Sequence, residues 1–511
     1  MTLGDLIASA HSHSLSPDAR ARVERAGRQG LEVSAVTHDS RAVTANVVFV
    51  AIRGQRTDGA TFAAEAARRG AAAIVAETPE PPGIGVPWLR TPDARLALAE
   101  LAAVVSRHPS DALTVVGVTG TNGKTTNTYL LAAMFDAAGM PCGRIGTVTV
   151  RVGPNPTDER DASHTTPEAP EVQRLLREMA DNGCTACAME VSSHALALQR
   201  VAGVKFAAAI FTNLTRDHLD FHVDMQQYFA AKRRLFEMLP ASAPAVVNVD
   251  DPWGQELAAS LPRATTYGFN RDADVRPVSV HSTLEGLAFE VHAPSARLSI
   301  RSPLVGRPNT YNILGVVATG LALGLPVQAI EAGIARLDGV PGRFQLVSAT
   351  TDDVRVVVDY AHTDDALKNL LETARPLTQG RLITVFGCGG DRDRTKRPLM
   401  GTVAARLSDL VVLTSDNPRS EDPQRIIDEI KRGIVPAVDP GAPKRATTPL
   451  VVNSDRRLAI EHAIRVAQPG DLVVIAGKGH EKYQVIGDRT LPFDDVEVAR
   501  AALTGRRGSR V

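Results

Sequence analysis

The sequence is short of cysteine, carries no excess of charge of either sign and contains no long apolar run. Of its 511 residues only four are cysteines, Cys142, Cys184, Cys187 and Cys388, which are too few and too scattered for a disulfide framework. The 57 lysines and arginines equal the aspartates and glutamates in number, so the protein has no overall field that would attract nucleic acid or an acidic membrane surface. We therefore expect a small-molecule partner, and neither nucleic acid nor a membrane.

Two further absences concern targeting and metal binding. The first five residues lack a basic region followed by an apolar one, so we expect a cytoplasmic protein, and we take it to be a monomer. Cys184 and Cys187 have the spacing of half a zinc site, but no second cysteine pair completes it. Buried strand thiols are the better interpretation of both residues.

The length of the chain predicts about three domains. A chain of 511 residues exceeds what one hydrophobic core usually organises, and 44% of the residues are hydrophobic, which is enough for several cores. We place the boundaries at a His-Pro pair and at a Val-Pro-Gly turn. The predicted domains are residues 1–109, 110–340 and 341–511.

Strand-like and helical patterns alternate along the chain, which predicts an α/β protein with mostly parallel sheets. Around the phosphate loop described below we expect a P-loop-type sheet, after it a Rossmann-like domain, and before it a small α/β domain. The predicted strands lie at residues 47–51, 71–75, 114–118, 185–189, 207–211, 245–249, 354–358, 382–386, 410–413 and 472–475. The predicted helices include residues 62–69, 171–182 and 225–239. The polar segment 264–304 suggests an antiparallel extension of the central sheet, and residues 505–511 suggest a disordered tail.

The most informative segment, residues 114–126, places a glycine-rich turn between a β-branched strand and an amphipathic helix. The glycines let successive N–H groups point at one anion, the helix N-terminus adds partial positive charge, and Lys124 supplies an ammonium. Thr125 would bind Mg²⁺ through its hydroxyl. The common G-x-x-x-x-G-K-[ST] motif begins with a glycine where this chain has valine, so the loop is a variant anchored on Gly117 or Gly120. The alternative is a tight strand-to-helix turn with a chance lysine.

Polar residues follow the next two predicted strands of this domain. Glu190 ends one of them and is a candidate to bind Mg²⁺ directly or to hold one of its ligands, with a structural ion pair as the alternative. His218 lies in the cluster after the other strand and could bind a second Mg²⁺ or orient a water, although loop histidines more often form structural hydrogen bonds. Lys232 alone would be interpreted as a solvated helix charge.

The stretch from residue 118 to residue 222, and the order of motifs around it, resemble the Mur ligase family. These are ATP-dependent enzymes that join an amino acid to a nucleotide-linked peptidoglycan precursor, so the resemblance implies ATP as co-substrate and Mg²⁺ as cofactor. It covers nearly the whole chain. The residues similar to the ATP loop of the family are Gly120, Thr121, Asn122, Gly123, Lys124, Thr125 and Thr126. Glu190 and His218 look like its metal-associated residues, and Lys232 sits where the family carries a carbamylated lysine that binds Mg²⁺ or holds its ligands. The resemblance further assigns to the nucleotide Asn309, Asn312, Arg343 and Asp359, with His362 nearby.

Within this family the C-terminal domain selects the amino acid. The signature Asp416-Asn417-Pro418-Arg419 resembles that of members that add meso-diaminopimelate as the third peptide residue. Arg419 can pair in bidentate fashion with a carboxylate, and L-lysine lacks the distal carboxylate that would satisfy it, at a cost of about 1–3 kcal/mol. Arg392, Gly477 and Glu481 match further positions of that site, and Glu481 would meet an ammonium. Taken alone, the signature could be a proline-containing turn with a surface salt bridge.

The same resemblance assigns the nucleotide-linked substrate to two regions. Residues 37–41 are similar to a uridine-nucleotide site, with Ser40 as the best candidate. The residues that match the muramoyl dipeptide site are Thr165, Thr166, Ser192 and Arg200. The family has a glutamine two residues before this arginine, where the present chain has Leu198 followed by Gln199.

The resemblance implies an ATP-dependent ligase of peptidoglycan precursor synthesis that joins meso-diaminopimelate to UDP-N-acetylmuramoyl-L-alanyl-D-glutamate. A carboxylate oxygen is a poor leaving group, so the D-glutamate side chain would first take the γ-phosphoryl group of ATP, and the amine would then attack the acyl phosphate. The alternatives are a family member that adds lysine, a folylpolyglutamate-type ligase, a P-loop NTPase without an amine acceptor, and a non-catalytic nucleotide-binding scaffold.

Overall fold

A computed structural model describes residues 1–10, 14–54, 57–434 and 448–508. It is a mixed α/β structure in which largely parallel sheets follow one another along the chain, as the sequence predicts. Each sheet lies within one of the three predicted ranges. We therefore propose residues 1–109, 110–340 and 341–511 as the domains.

The first domain contains a four-stranded parallel sheet in the order β1-β2-β3-β4. Its strands are β1 (Ala35–Thr37), β2 (Val47–Ala51), β3 (Ala73–Ala76) and β4 (Trp88–Arg90). Its helices are α1 (Leu3–Ser9), α2 (Ala19–Arg25), α3 (Ala63–Arg68) and α4 (Ala94–Val105), with short 3₁₀ turns at Ser40–Ala42, Gly59–Phe62 and Pro109–Asp111. All residues of β2 and β3 are buried because helices cover both faces of this sheet.

The second domain contains an eight-stranded sheet in the order β12-β11-β10-β5-β9-β6-β7-β8, parallel from β12 to β6 and antiparallel beyond. Its strands are β5 (Thr114–Thr119), β6 (Cys142–Ile145), β7 (Thr149–Arg151), β8 (Glu159–Asp161), β9 (Ala186–Glu190), β10 (Ala208–Phe211), β11 (Ala245–Asn248) and β12 (Thr265–Tyr267). Its helices are α5 (Lys124–Ala137), α6 (Ala169–Asp181), α7 (Ser193–Ala197), α8 (Leu219–His222), α9 (Met225–Glu237), α10 (Pro252–Ser260), α11 (Arg307–Ala322) and α12 (Val327–Arg336), with a 3₁₀ turn at Pro156–Asp158.

The polar segment after this sheet differs in part from the prediction. The antiparallel character is correct, but β13 (Arg276–Thr283), β14 (Gly286–His292) and β15 (Arg297–Ser302) form a separate three-stranded sheet rather than an extension of the central one. Only β12, which precedes them, joins the central sheet, and it does so in parallel with β11. The alternating buried residues of β14 and β15 pack against the same core as α11 and α12.

The third domain contains a six-stranded sheet in the order β16-β17-β21-β18-β19-β20, parallel except for β16. Its strands are β16 (Gln345–Leu346), β17 (Arg355–Asp359), β18 (Leu382–Phe386), β19 (Leu410–Leu413), β20 (Leu450–Val452) and β21 (Leu472–Ala476), followed by the hairpin β22 (Tyr483–Ile486) and β23 (Arg489–Pro492). Its helices are α13 (Asp364–Ala374), α14 (Lys396–Leu407), α15 (Pro423–Ile434), α16 (Arg456–Val466) and α17 (Asp495–Gly508), with a 3₁₀ turn at Arg375–Leu377. Alternate strand residues face two separate cores, so the sheet is covered on both sides, as in the predicted Rossmann-like arrangement.

The prediction of a disordered tail is wrong for its described part. Residues 505–508 belong to α17, where Arg506 pairs with Asp353 at 2.9 Å and Arg507 pairs with Asp352 at 2.6 Å. Both acidic partners precede β17, and the sequence alone gives no sign of such distant partners. Residues 509–511 lie outside the described residues.

Two further predictions from the composition concern the cysteines and membrane-spanning helices. All four cysteines are free and buried, so the predicted burial of Cys184 and Cys187 is confirmed. Of these two, only Cys187 is a strand thiol, because β9 begins at Ala186 and Cys184 precedes it. No helix in the described ranges is long and apolar enough to cross a membrane. Because β10, β5 and β9 are neighbours in the central sheet, the loops at their carboxyl ends are brought together, and the candidate site is built there.

Candidate functional site

The predicted phosphate loop lies between the buried strand β5 and the helix α5. Gly117 is inside the strand, so the loop is anchored on Gly120, which has a φ of +148°. Gly123 caps the helix at a φ of +89°. A Cβ on Gly120 would lie 1.9 Å from the hydroxyl oxygen of Thr212, which itself donates to the carbonyl of Asn122 at 2.6 Å. The loop therefore needs glycine at this position.

Two lysines converge on the carbonyl oxygen of Gly120. Lys124 Nζ donates to it at 2.9 Å and also to the carbonyl of Thr121, while Lys232 Nζ donates to it from α9 at 2.8 Å. Lys232 is 1% exposed, so its interpretation as a solvated helix charge is wrong. Burial lowers the pKa of both lysines, and the charge of Lys124 further lowers the pKa of Lys232.

Glu190 lies at the end of β9 beside this loop and is 1% exposed. Its Oε1 accepts the backbone N–H of Thr147 at 2.8 Å, and its Oε2 accepts the hydroxyl of the same residue at 2.9 Å. A Cβ on the preceding Gly146 would lie 2.4 Å from Oε1. The carboxylate is thus fixed by one neighbouring loop, and the salt bridge considered from the sequence is not formed within the described residues.

His218 stands in the loop after β10, in a left-handed backbone conformation with a φ of +53°. Its Nε2 is 3.3 Å from Asp217 Oδ2, and its ring stacks edge-on against His194 with centroids 4.8 Å apart. Burial holds the pKa of His218 below its ordinary value even though Asp217 opposes this shift. The imidazole is therefore neutral near pH 7, which is the form that can bind a metal.

Asn309 and Asn312 lie on α11, which packs against the start of α5, the helix that follows the loop. Asn312 Oδ1 accepts from Asn127 of α5 at 3.0 Å, and its amide nitrogen donates to Asn309 Oδ1 at 3.0 Å. A Cβ on Gly123 would lie 2.4 Å from Asn312 Oδ1. Both side chains are buried, so their hydrogen bonds within the protein fix the backbone of the helix start.

The third domain contacts the phosphate loop directly. Arg343 Nη2 donates to the hydroxyl of Thr125 at 3.2 Å. Asp359, at the end of β17, accepts the N–H of Phe344 at 2.6 Å and so fixes the backbone beside Arg343. Burial raises the pKa of Asp359 although Arg343 opposes this. His362 lies nearby, with its Nδ1 2.9 Å from the carbonyl of Tyr360.

Asp365 was missed by sequence reasoning. Its Oδ2 accepts from the amide of Asn122 at 3.1 Å and from the hydroxyl of Thr215 at 3.0 Å. One carboxylate oxygen of Asp365, in the first turn of α13, therefore connects the third domain with two loops of the second domain. An acidic residue in the first turn of a helix is common, so the sequence around Asp365 does not indicate its contacts with the second domain.

The four residues predicted for the muramoyl dipeptide lie together beside Glu190. Thr166 Oγ1 donates to the carbonyl of Glu190 at 2.8 Å and accepts the N–H of Ser192 at 3.1 Å. Arg200 donates to the carbonyl of Thr166 at 3.0 Å, and Thr165 Oγ1 is 3.1 Å from the hydroxyl of Thr147. The predicted cluster is therefore a physical cluster at the carboxyl end of β9.

Gln199 and Ser40 lie outside the cluster beside Glu190. Gln199 donates to Asp93 Oδ2 at 3.3 Å and so contacts the first domain, while Leu198 ends the short helix α7. Ser40 begins the 3₁₀ turn after β1 and is buried. No described hydrogen bond joins Ser40 to the dipeptide cluster.

The residues predicted to bind the amino acid follow β18, β19 and β21, which are neighbours in the sheet. Arg419 Nη1 donates to the carbonyl of Gly390 at 2.6 Å, and no carboxylate in the described part of the chain pairs with this guanidinium, so the surface salt bridge considered from the sequence is absent. Arg392 is exposed on the same loop as Gly390. Gly477 has a φ of +115°, and a Cβ there would lie 3.7 Å from Asp416 Oδ2.

Lys478 is a further residue that sequence reasoning missed. It is 0% exposed, and its Nζ lies 3.0 Å from Glu481 Oε2, 3.1 Å from Asn417 Oδ1 and 3.6 Å from Asp416 Oδ1. Pro418 completes the turn, with its carbonyl only 1.8 Å from where a Cβ on Gly390 would lie. A lysine between two glycines gives no sequence signal of burial.

Three family profiles match successive parts of this chain. The Mur ligase family catalytic domain matches residues 32–105, the Mur ligase middle domain residues 118–320, and the Mur ligase glutamate ligase domain residues 342–479. The chain belongs to the Mur ligase family. The residues that resemble the ATP loop, the metal-associated positions and the amino-acid signature of this family therefore lie in a chain that belongs to it.

Curated relatives and solved structures agree with this assignment. The UDP-N-acetylmuramoyl-L-alanyl-D-glutamate–2,6-diaminopimelate ligase of Gloeobacter violaceus is 48% identical over 96% of this chain and 97% of its own, and that of Solibacter usitatus is 47% identical over 93% and 94%. A solved structure of a ligase with the same name is 35% identical, with a TM-score of 0.66 over 93% of this chain and 95% of that one. The MurF ligase of Thermotoga maritima in complex with ADP is 19% identical with a TM-score of 0.62 over 94% and 99%, and shows the fold alone.

The geometry of the loop predicts a severe effect of Gly120→Ala. The added Cβ would meet Thr212 in a backbone conformation that alanine rarely adopts, so we expect a loss of about 1–3 kcal/mol in the free energy of unfolding and of at least about tenfold in ATP affinity. Denaturant unfolding and titration calorimetry measure the two effects. Gly30→Ala is the control, since a Cβ there meets nothing within 4 Å. Unchanged ATP affinity in Gly120→Ala would contradict the assignment of the loop.

Proposed function

We propose that this Mur ligase adds meso-2,6-diaminopimelate to UDP-N-acetylmuramoyl-L-alanyl-D-glutamate, with ATP converted to ADP and phosphate. The observation that carries the proposal is Arg419, whose guanidinium pairs with no carboxylate of the described residues. It lies on the same loop as Asp416 and Asn417, and Asn417 in turn is hydrogen-bonded to the carboxylate of Glu481. A zwitterionic amino-acid centre is complementary to that arrangement. The curated relatives of nearly equal length carry the name of this activity.

The second domain would bind ATP through residues 120–126, with Asn309, Asn312, Arg343 and Asp359 holding the loop or the nucleotide. Lys124 leaves the carbonyls of Gly120 and Thr121 and binds the transferring phosphoryl group, because an oxyanion is the stronger acceptor. Loop N–H groups and the N-terminus of α5 bind the same charge. The D-glutamate carboxylate attacks the γ-phosphorus, ADP leaves, and an acyl phosphate is formed.

The amine of diaminopimelate then attacks the acyl carbon and phosphate leaves with the bond electrons, which forms the amide. Residues Arg392, Asp416, Asn417, Pro418, Arg419, Gly477 and Glu481 would hold this amino acid. Arg343 and Asp365 keep the third domain against the phosphate loop. The amine is thus held next to the acyl phosphate, which replaces a bimolecular encounter by a reaction at fixed distance.

The donor set around the loop fits Mg²⁺. The hydroxyl of Thr125 and the carboxylate of Glu190 are oxygen donors buried beside the loop, and Mg²⁺ is usually held by one or two carboxylates together with phosphate and water. His218, neutral by its lowered pKa, would bind the metal or a water on it. When bound, Mg²⁺ would neutralise negative charge on the phosphate oxygens.

Lys232 would act as a carbamate. The ammonium group first loses a proton, and the neutral amine then adds CO₂ and releases a second proton, so a buried cation becomes an anion. The structure favours this change because two ammonium groups, those of Lys124 and Lys232, otherwise compete for one carbonyl oxygen in a buried site. The anion would bind Mg²⁺ or hold its ligands.

The nucleotide-linked substrate would span the first two domains. Ser40 would contact the uridine nucleotide, and the cluster beside Glu190 would hold the dipeptide: Thr165, Thr166, Ser192 and Arg200. Arg200 has a second partner, Glu168, at 2.7 Å, so its guanidinium is already oriented. We propose a cytoplasmic, monomeric enzyme of peptidoglycan synthesis, and hence of cell-wall formation during growth and division, without nucleic-acid or membrane partners.

Product formation distinguishes this function from its alternatives. We expect phosphate release from ATP only when both the UDP-linked dipeptide and meso-diaminopimelate are present, because the acyl phosphate is formed only on the bound acid and is consumed only by the amine. A coupled phosphate assay with each component omitted in turn measures this. Phosphate release with ATP alone would instead indicate a P-loop NTPase, and product with a folate acceptor would indicate a folylpolyglutamate-type ligase.

Lys232→Ala tests the carbamate. We expect activity to fall by about a hundredfold, comparable to the loss of one electrostatic group, and to be partly restored by formate or acetate, which would occupy the space of the carbamate. Lys368→Ala is the control, because Lys368 is half-exposed and its pair with Glu372 spans 3.9 Å. Wild-type activity in Lys232→Ala would overturn the role of this residue.

Arg419→Ala tests the choice of amino acid. Loss of a charged hydrogen-bonding group costs about 1.5–3 kcal/mol, so we expect kcat/KM for meso-diaminopimelate to fall by about ten- to a hundredfold. The value for L-lysine should not fall, because L-lysine has no distal carboxylate for Arg419 to bind. Steady-state kinetics with both amino acids measure this, with Arg425→Ala, at an exposed position of α15, as the control. Equal turnover of L-lysine and meso-diaminopimelate by the wild type would refute the specificity argument and indicate a lysine-adding enzyme.

A further inference from the structure

Lys478 occupies the centre of the proposed amino-acid site, although no role is assigned to it above. Its ammonium lies within 3.0–3.6 Å of Glu481, Asn417 and Asp416. The side chain is 0% exposed, and its Nζ is 5.5 Å from the ring centre of Tyr483. The positive charge of this buried lysine therefore offsets part of the negative charge that Asp416 and Glu481 bring to the site.

The two carboxylates keep free capacity for a second cation. Glu481 Oε2 accepts from Lys478 and, at 2.8 Å, from the amide of Asn417, while its Oε1 has no hydrogen-bond partner in the described chain. Asp416 is 7% exposed, and its Oδ1 is buried without a hydrogen bond. Lys478 therefore fixes Glu481 through one oxygen and leaves the other to a ligand.

We infer that Lys478 determines specificity by making the site electrically neutral, so that it prefers an amino-acid centre with both an ammonium and a carboxylate over a lone ammonium. This inference rests on the proposed function. Among the charged side chains of the site that are not exposed, Asp416 and Glu481 contribute two negative charges, and Lys478 and Arg419 contribute two positive ones, whereas Arg392 is exposed to solvent. A zwitterionic centre leaves the balance unchanged.

A lone ammonium group, such as the side chain of L-lysine, changes that balance. It would leave one net positive charge in a site where Lys478 is wholly buried and Asp416 nearly so, and an uncompensated buried charge is costly. Without the charge of Lys478 the site would be negative by one, and the lone ammonium would then restore neutrality. Discrimination thus has two parts, in which Arg419 binds the distal carboxylate and Lys478 penalises its absence.

A structural role makes a different prediction. If Lys478 only anchored Glu481 and Asn417, its substitution would disturb the binding of both amino acids to a similar degree. Lys478→Gln removes the charge but keeps a side-chain donor for these partners, and Lys478→Arg keeps the charge. The pair separates charge from hydrogen bonding.

The test is kcat/KM for meso-diaminopimelate and for L-lysine, measured with the full-length wild type and with both variants. We expect the ratio of the two values to fall at least about tenfold in Lys478→Gln, which corresponds to about 1.4 kcal/mol, and to stay near that of the wild type in Lys478→Arg. The KM for ATP should be unchanged in both. An unchanged ratio in Lys478→Gln, or an equal fall in Lys478→Arg, would overturn the inference.

The double variant Lys478→Met/Glu481→Gln covers the case in which Lys478→Gln does not fold. It removes one charge of each sign, so no carboxylate is left without its counter-charge, and the site keeps its neutrality through Asp416 and Arg419. We expect its ratio to stay near that of the wild type, and a fall as large as the tenfold one expected for Lys478→Gln would overturn the inference. If the wild type formed product with neither amino acid, the proposed function itself would fail, whereas product with an unchanged ratio in the variants rejects only the role of Lys478.

Discussion

The carbonyl oxygen of Gly120 accepts hydrogen bonds from Lys124 and Lys232, and the arrangement of the central site depends on this shared acceptor. The two donors come from α5 and α9, so one atom connects both helices with the end of β5. A neutral carbonyl does not compensate two buried positive charges, and the pKa of each lysine is accordingly lowered by burial. A triphosphate, or a carbamate on Lys232, supplies the missing negative charge. The loop thus has a physical need for an anion before any substrate is considered.

The third domain is connected to the same loop through polar contacts rather than an apolar core. Arg343 reaches Thr125, Asp365 joins Asn122 to Thr215, and Arg216 reaches Thr395 at 2.7 Å. Each of these hydrogen bonds can be exchanged for water or a ligand at small net cost. A nucleotide entering between the domains can therefore replace them one by one, while the separate cores on either side stay intact.

The sequence predicts those parts of the structure that depend on neighbouring residues. Periodicity locates the strands, and glycine chemistry identifies the loop around Gly120, because both are local. The three-stranded sheet after β12, the ordered end of α17 and the role of Asp365 depend on partners more than a hundred residues away or on strand pairing, and no local pattern encodes them. Lys232 was predicted only in part. A lysine on a helix is usually exposed, and only the resemblance to the Mur ligase family assigned this residue to the site. Lys478 has neither signal, because burial of a lysine is decided by the carboxylates that tertiary structure brings to it.

The two halves of the proposed reaction therefore differ in their electrostatics. Around Gly120 two lysines share one carbonyl oxygen, and a bound anion would give one of them a stronger acceptor. Around Lys478 the charges are balanced by Asp416, Glu481 and Arg419, so the site favours a ligand that is itself balanced. An enzyme that joins a phosphorylated acid to a zwitterion needs this contrast, because equal excesses of positive charge would attract ATP to both sites and equal neutrality would bind it at neither.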